Sequence, residues 1–152
     1  MDFSAASSAK KCLLFFLYWI EQQVFGFRKD GMMKKIALEI NGKELKVYMA
    51  DSFATRFRGL MLRPRDFLPM GTGLLIAPCN SIHMMFMRFP IDVVYIDKNY
   101  QVLKQVPNVR PWLSLSACWN KNTWATLELP VGSIKAYGIQ VGSVFRLFSQ
   151  QE

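Results

Sequence analysis

The sequence predicts a mainly β domain with one or two short helices, and three features of its residue pattern lead to that prediction. Apolar residues alternate with polar or small ones over 36–40 and 45–49, which is the period of a strand with one buried face. Asn41-Gly42, between these two segments, is the strongest short signal for a tight hairpin. Further short apolar segments follow as far as residue 148, separated by Gly and Pro. A set of short strands joined by turns is therefore expected.

The elements after the hairpin follow from the same reasoning. Asp51-Ser52 supplies helix-capping side chains, and apolar residues then recur at helical spacing, which predicts a short helix over 53–61. Pro64, Pro69, Gly71 and Gly73 indicate a loop. Strands are expected at 74–77, 82–87, 91–96, 100–106, 124–129 and 143–148, with one turn of helix over 132–137.

The length and charge of the chain indicate a single basic domain with an N-terminal extension. At 152 residues the chain is long enough to bury a hydrophobic core without disulfides or metals. We predict a single β domain over residues 33–149 and an extension over residues 1–32. Residues 33–148 contain fifteen Lys or Arg and seven Asp or Glu, which accounts for the net charge of +8.

The extension has an apolar segment at residues 12–20, preceded by Lys10-Lys11. Nine apolar residues are too few to cross a bilayer as a helix. The basic start resembles a signal peptide, but no cleavage site of small residues follows. The favoured interpretation is an extension that packs against nothing, and the alternatives are an exported protein and a peripheral membrane contact through residues 12–27.

Four arginines lie close together at Arg56, Arg58, Arg63 and Arg65. Such a group could attract an anionic ligand, lipid headgroups or nucleic acid, or could be an ordinary solvated surface. The sequence carries no signature of a nucleic-acid-binding module, so nucleic acid is not the expected partner.

Cysteine usage indicates a reducing compartment. Cys12, Cys79 and Cys118 are too few and too far apart for a disulfide framework, so we expect free thiols in the cytoplasm. A Cys79–Cys118 bridge would require export. Cys79-x3-His83 supplies at most two zinc ligands, so neither a metal nor a cofactor is expected.

The candidate site lies in the largely apolar stretch 79–97, which holds the single histidine of the chain. Isolated ionisable side chains among apolar residues need partners, because a charge removed from water must be paired or hydrogen-bonded. Arg88 and Asp92 flank Phe89-Pro90-Ile91, and a reversal there would pair guanidinium with carboxylate. We therefore predict an Arg88–Asp92 ion pair, which is either structural or half of a ligand site with Arg58 and His83.

Glu128 is a further candidate, since it stands between Leu127 and Leu129 in an apolar run. It could be a buried partner of Arg58 or Arg88. Strand alternation alone could also place it in solvent.

Several of these segments also carry a resemblance to a known family. They are Arg58-Gly59-Leu60-Met61, the stretch 79–97, Leu127-Glu128-Leu129-Pro130-Val131-Gly132 and Gly138-Ile139-Gln140-Val141-Gly142. In order and spacing they resemble the prokaryotic family called domain of unknown function 192, over about residues 36–148. The resemblance implies a compact, jelly-roll-like β-sandwich with little helix, and it implies no established activity.

Two functions of different class follow from these residues. The first is a noncatalytic binding or accessory module whose cluster Arg58, His83, Arg88, Asp92 and Glu128 holds an anionic or sugar-like ligand or a protein segment. The second is a hydrolase-like enzyme that uses His83 with Asp92 or Glu128. The first is favoured, because the sequence contains no catalytic motif of defined spacing and β-sandwiches often serve as binding scaffolds.

Overall fold

The structure, a computed structural model, describes residues 33–148 except for residues 51, 53, 54, 57 and 58. The extension 1–32, with its candidate membrane segment 12–27, therefore lies outside the described residues, and so does Arg58. The predicted helix over 53–61 falls partly on the undescribed positions, although Thr55 and Arg56 are helical.

The described residues form nine strands, which confirms the predicted mainly β fold. The strands are β1 (Lys34–Ile40), β2 (Lys43–Ala50), β3 (Thr72–Ile76), β4 (Ser81–His83), β5 (Ile91–Ile96), β6 (Val102–Val109), β7 (Leu115–Ala117), β8 (Ala125–Pro130) and β9 (Arg146–Leu147). Helical structure includes a 3-10 turn at Arg65–Phe67 and one α-helix, α1 (Ser133–Tyr137).

Seven strands form one sheet in the order β6-β5-β8-β3-β2-β1-β9, and β4 pairs with β7 in a separate two-stranded ribbon. The predicted hairpin at Asn41-Gly42 is β1 and β2, paired antiparallel. The sheet is mixed, because β2 runs parallel to β3 while β8 pairs antiparallel with both β3 and β5. Strand β8, which carries Glu128, therefore lies between two strands near the middle of the sheet.

Both faces of the central strands are buried. One face packs a core that includes Leu75, Val94, Leu127 and Leu129, and the other packs a second core that includes Leu74, Ile76, Val93, Tyr95 and Met87. Sheets covered on both faces have nearly continuous apolar strands, which matches the fully buried β5. A side chain on either face of β5 or β8 consequently enters a core.

Strand β3 approaches β8 closely at Gly73. A Cβ placed there would lie 2.9 Å from Leu129 Cδ2 and 3.4 Å from the Glu128 carbonyl oxygen. Only glycine fits this position without displacing β8 side chains, so Gly73 helps to seat the strand that carries Glu128.

The structure differs from the predicted strands in the region 82–87. Strand β4 ends at His83, and Phe86 has a positive φ of 61°, which turns the chain away from an extended course. A strand that the sequence pattern did not predict, β7, pairs with β4. No helix among the described residues is long and apolar enough to cross a lipid bilayer.

Candidate functional site

Glu128 is a buried carboxylate in the second core. In β8 the side chains of Leu127 and Leu129 enter the first core, so the intervening Glu128 points to the opposite face. Its neighbours across the ladders are Leu74 on β3 and Val93 on β5, both apolar. The residue is only 5% exposed, and Glu128 Oε2 is buried without a hydrogen-bond partner.

Burial changes the charge state of this carboxyl. Removal from water raises the pKa of Glu128 from 4.5 to about 8, because the charged form is poorly solvated in this position. The side chain is therefore mostly a neutral carboxylic acid near pH 7. In that form it can donate a hydrogen bond as well as accept one.

Glu128 lies on the wall of a cavity with a volume of about 320 Å³. Most of the remaining wall is apolar, with polar groups contributed by the segments around β4 and by the helical turn at Arg56. The lining residues are Arg56, Gly59, Leu60, Met61, Ile76, Pro78, Cys79, Ser81, Ile82, His83, Met87 and Glu128. An apolar cavity with a few convergent polar groups is the usual form of a small-molecule site.

Backbone interactions hold these polar groups in place. Arg56 Nη1 donates to the Ala77 carbonyl oxygen at 3.2 Å, and Cys79 Sγ donates to the Ser81 carbonyl oxygen at 3.1 Å. Gly59 has a positive φ of 45°, which favours glycine, and a Cβ there would be in ordinary van der Waals contact with Glu128 Oε2 at 3.9 Å. Gly59 thus lies beside Glu128 Oε2, which has no hydrogen-bond partner.

Asp92 has a different position and a different role. It is 1% exposed and pairs across the ladder with Leu129, on the face opposite Glu128. Its Oδ2 accepts hydrogen bonds from the backbone N–H groups of Gly132 and Ile134, both at 3.0 Å, and its Oδ1 accepts one from Asn108 at 2.9 Å. The carboxylate therefore fastens the start of α1 and the end of β6 to β5.

The predicted Arg88–Asp92 ion pair is wrong. Arg88 is exposed to solvent in the turn after β4, and no ion pair between it and Asp92 occurs. The physical reason is that three backbone donors already satisfy the Asp92 carboxylate, so it needs no guanidinium. Within the described residues the candidate cluster therefore separates, with His83 and Glu128 lining the cavity and Asp92 and Arg88 outside its wall.

Of the polar residues in the cavity wall, Arg56, Cys79 and Ser81 were not part of the predicted cluster. Arg56 belongs to the group of four arginines in the sequence, but its place in the wall depends on a contact with a distant residue, the Ala77 carbonyl oxygen. The sequence suggested Cys79 as a free thiol, as a bridge partner of Cys118 or as a zinc ligand, and not as part of this site. Among the described residues, no group of three or more His, Cys, Asp or Glu side chains could hold a metal ion.

Comparison with known proteins defines the class to which this fold and site belong. The family described as "Uncharacterized ACR", domain of unknown function 192, matches residues 36–147. The chain therefore belongs to this family, which confirms the resemblance found in the sequence.

Curated relatives carry the family name UPF0127. A Pyrococcus furiosus protein is 34% identical over 104 residues, covering 66% of this chain and 87% of that protein. A Thermococcus sibiricus protein is 35% identical over 103 residues, covering 64% of this chain and 62% of that protein. The match thus spans less than two thirds of the Thermococcus relative.

Solved structures show the same fold at low sequence identity. A protein of unknown function from Novosphingobium aromaticivorans has a TM-score of 0.67 at 19% identity, over 78% of this chain and 89% of that one. A Sinorhizobium meliloti protein has a TM-score of 0.69 at 19% identity, over 78% of this chain and 98% of the other.

Proposed function

We propose that this protein is a noncatalytic binding module whose cavity takes a small anionic ligand with an apolar portion. The observation that carries the proposal is Glu128 Oε2, which is buried without a hydrogen-bond partner on a residue of the cavity wall. Buried polar atoms in proteins are almost always hydrogen-bonded, and an exception needs an explanation. A bound ligand oxygen would supply the missing partner.

The charge of the cavity favours an anion. A neutral Glu128 carboxyl can donate its O–H to a ligand carboxylate or phosphate oxygen without repelling it. Arg56 carries a permanent positive charge, and its guanidinium has further donors besides the one bound to the Ala77 carbonyl oxygen. His83 on the same wall adds a third polar group.

The size and walls of the cavity limit the ligand. A volume of about 320 Å³ lies at the lower end of the range for small-molecule sites. Leu60, Ile76 and Met87 would contact an apolar portion of the ligand. Short-chain and aromatic carboxylates fit this description better than a neutral sugar or a peptide segment.

Isothermal titration calorimetry against acetate, benzoate, inorganic phosphate and a neutral sugar tests the proposal. We expect benzoate to bind below pH 8 and to weaken as pH rises through 8, because ionised Glu128 would repel the anion. Glu128→Gln should remove this weakening, since its amide stays neutral and retains an N–H donor. Binding of the sugar without the anions, or no binding by any of the four, would contradict the proposal.

A matched control separates the cavity from general charge effects. Glu44→Gln makes the same substitution at an exposed position in β2, so its binding and pH profile should equal those of the wild type. Arg56→Gln should weaken anion binding, and thermal melts should show that the variant remains folded.

A hydrolase is the second candidate function, favoured because His83 and Glu128 line the same cavity. A carboxyl with a raised pKa is suited to donate a proton to a leaving group. Asp92 has no part in this candidate, since backbone groups occupy its carboxylate. Turnover of chromogenic esters or glycosides, lost in Glu128→Gln, would favour this function over the binding module.

The cytoplasm is the proposed location. Cys79 and Cys118, on segments that lead into β4 and follow β7, are both free thiols. Unpaired cysteines are typical of proteins in a reducing compartment.

A further inference from the structure

Four large apolar side chains project from the segment that contains β7. Trp112 is 56% exposed, Leu113 98%, Leu115 81% and Trp119 87%. We call these four residues the β7 surface. Single exposed apolar residues are ordinary, but a group of this size on one short segment marks an interaction site.

The pattern of β7 is inverted relative to an ordinary surface strand. Ser116 and Cys118 are buried, and Ser116 Oγ accepts a hydrogen bond from the Tyr95 hydroxyl at 2.8 Å. The alternate positions, Leu115 and Trp119, face solvent. The polar Ser116 packs inside while the larger apolar Leu115 and Trp119 lie outside, where they are available to a partner with an apolar surface.

The backbone behind this surface is fixed. Trp112 N–H donates to the Met84 carbonyl oxygen at 2.7 Å, and the Trp112 ring contacts Phe86 edge to face with centroids 5.8 Å apart. Leu115 lies opposite His83 in the β4–β7 ribbon. The backbone that carries the β7 surface is therefore held in place by hydrogen bonds and strand pairing.

The surroundings of the surface are positively charged. Lys104 and Arg110 line the same shallow groove as Leu115 and Trp119. Lys104 Nζ donates to the Ala117 carbonyl oxygen of β7 at 2.7 Å, and Lys121 follows Trp119 by two residues in the sequence. The apolar side chains of the β7 surface, with cations beside them, complement a partner that has anionic groups at its surface and an apolar layer just beneath.

We propose that the β7 surface docks on an anionic lipid bilayer. Trp and Leu side chains would enter the interfacial region, where the amphipathic indole ring is favoured. Arg110, Lys104 and Lys121 would contact the headgroups, since anionic lipids attract basic residues near the cytoplasmic leaflet. The docking is independent of the anion cavity proposed above.

The charges and side-chain types argue against two other occupants. A second copy of this chain would bring the same cations face to face, which opposes association. Single-stranded nucleic acid would use the two tryptophans for stacking, but the fully exposed Leu113 and the mostly exposed Leu115 offer neither stacking nor hydrogen bonds to bases.

Co-sedimentation of the full chain with vesicles tests the proposal, using phosphatidylcholine alone and phosphatidylcholine mixed with phosphatidylserine. We expect binding to the mixed vesicles and a loss of at least about tenfold in partition coefficient for the double variant Leu113→Ser/Leu115→Ser, which removes two apolar side chains from the bilayer. The matched control, Val141→Ser/Leu147→Ser, changes two exposed apolar residues elsewhere and should bind like the wild type.

The charge part of the proposal has its own variant pair. Arg110→Gln/Lys121→Gln should weaken binding to the mixed vesicles, whereas Lys46→Gln/Lys135→Gln, equal in charge and also exposed, should weaken it less. Unchanged sedimentation of the Leu113→Ser/Leu115→Ser variant would overturn the proposal and assign vesicle binding to residues 12–27. Binding of single-stranded DNA that vesicles do not displace would also overturn it.

Discussion

Replacing Glu128 with glutamine should make the protein more stable near and above neutral pH, and the gain should grow with pH. Glutamine has nearly the same shape as glutamate, so it can occupy the same place between Leu74 and Val93. It differs in having no proton to lose. The comparison therefore isolates the free energy of keeping a carboxyl neutral inside the fold.

The magnitude follows from the raised pKa. The unfolded chain loses the Glu128 proton near pH 4.5, whereas the folded protein keeps it to about pH 8. Between these two values the folded state binds more protons than the unfolded state, so the free energy of unfolding falls as pH rises. Each pH unit costs about 1.4 kcal/mol. Two and a half units, from pH 4.5 to near pH 7, give a loss of about 3 kcal/mol that Glu128→Gln avoids.

Urea denaturation at a series of pH values measures this difference. At and below pH 4.5 the free energy of unfolding should vary with pH in the same way for the wild type and Glu128→Gln. The two free energies should diverge as pH rises, and their difference should become constant above about pH 8. Glu44→Gln, which removes an exposed carboxyl, should show no comparable divergence from the wild type. Parallel curves for the wild type and Glu128→Gln between pH 4.5 and 8 would refute the reasoning, because they would mean that Glu128 titrates alike in both states.

Three further substitutions and one deletion have expected effects on stability. Asp92→Asn should destabilise by on the order of 2 kcal/mol, because its amide N–H₂ cannot accept one of the three backbone hydrogen bonds. Arg88→Met should change stability by less than about 0.5 kcal/mol, and its effect should add to that of Asp92→Asn; a coupling energy above this value would show that the two residues interact. Gly73→Ala should cost about 1–3 kcal/mol, since the new Cβ would meet Leu129 at 2.9 Å, and an unchanged midpoint would contradict the close approach. Residues 33–152 alone should melt within a few degrees of the full chain, and a large drop would show that the extension packs on the domain.

Local patterns in the sequence predict the elements that depend on neighbouring residues. Asn41-Gly42 identifies the hairpin of β1 and β2, and the apolar run at 91–96 matches β5 residue for residue. The turn of helix expected over 132–137 is α1 at Ser133–Tyr137. Each of these elements is determined by a turn or a periodic pattern within a few residues, so the local sequence is enough to predict it.

Other features depend on contacts between distant segments. The parallel pairing of β2 with β3 and the insertion of β8 between β3 and β5 have no local signal. Strand β7 has only three residues, and its burial is the reverse of what periodicity predicts, because Ser116 is buried and Leu115 is exposed. The turn at Phe86 ends β4 early, and it separates His83 from Arg88.

The two buried acidic residues, Asp92 and Glu128, show most clearly that contacts between distant segments cannot be predicted from the sequence. Where both faces of a sheet are buried, alternation cannot say which polar residue has partners, because every position along the strand is covered. The sequence therefore identified Asp92 and Glu128 as candidates and suggested an arginine partner for each, but it could not show which of the two the backbone satisfies. Only the position of α1 and β6 shows that backbone N–H groups satisfy Asp92.

The contrast between these two carboxyls is the strongest argument for a ligand. Asp92 and Glu128 lie on adjacent paired strands, on opposite faces of one sheet, and both are almost fully buried. The fold gives Asp92 three donors and gives Glu128 Oε2 none. A carboxyl that serves stability should be costly to replace by its amide, and one that serves binding should be replaceable with a gain. The two substitutions should thus shift the free energy of unfolding in opposite directions near pH 7, and Glu128→Gln alone should alter anion binding.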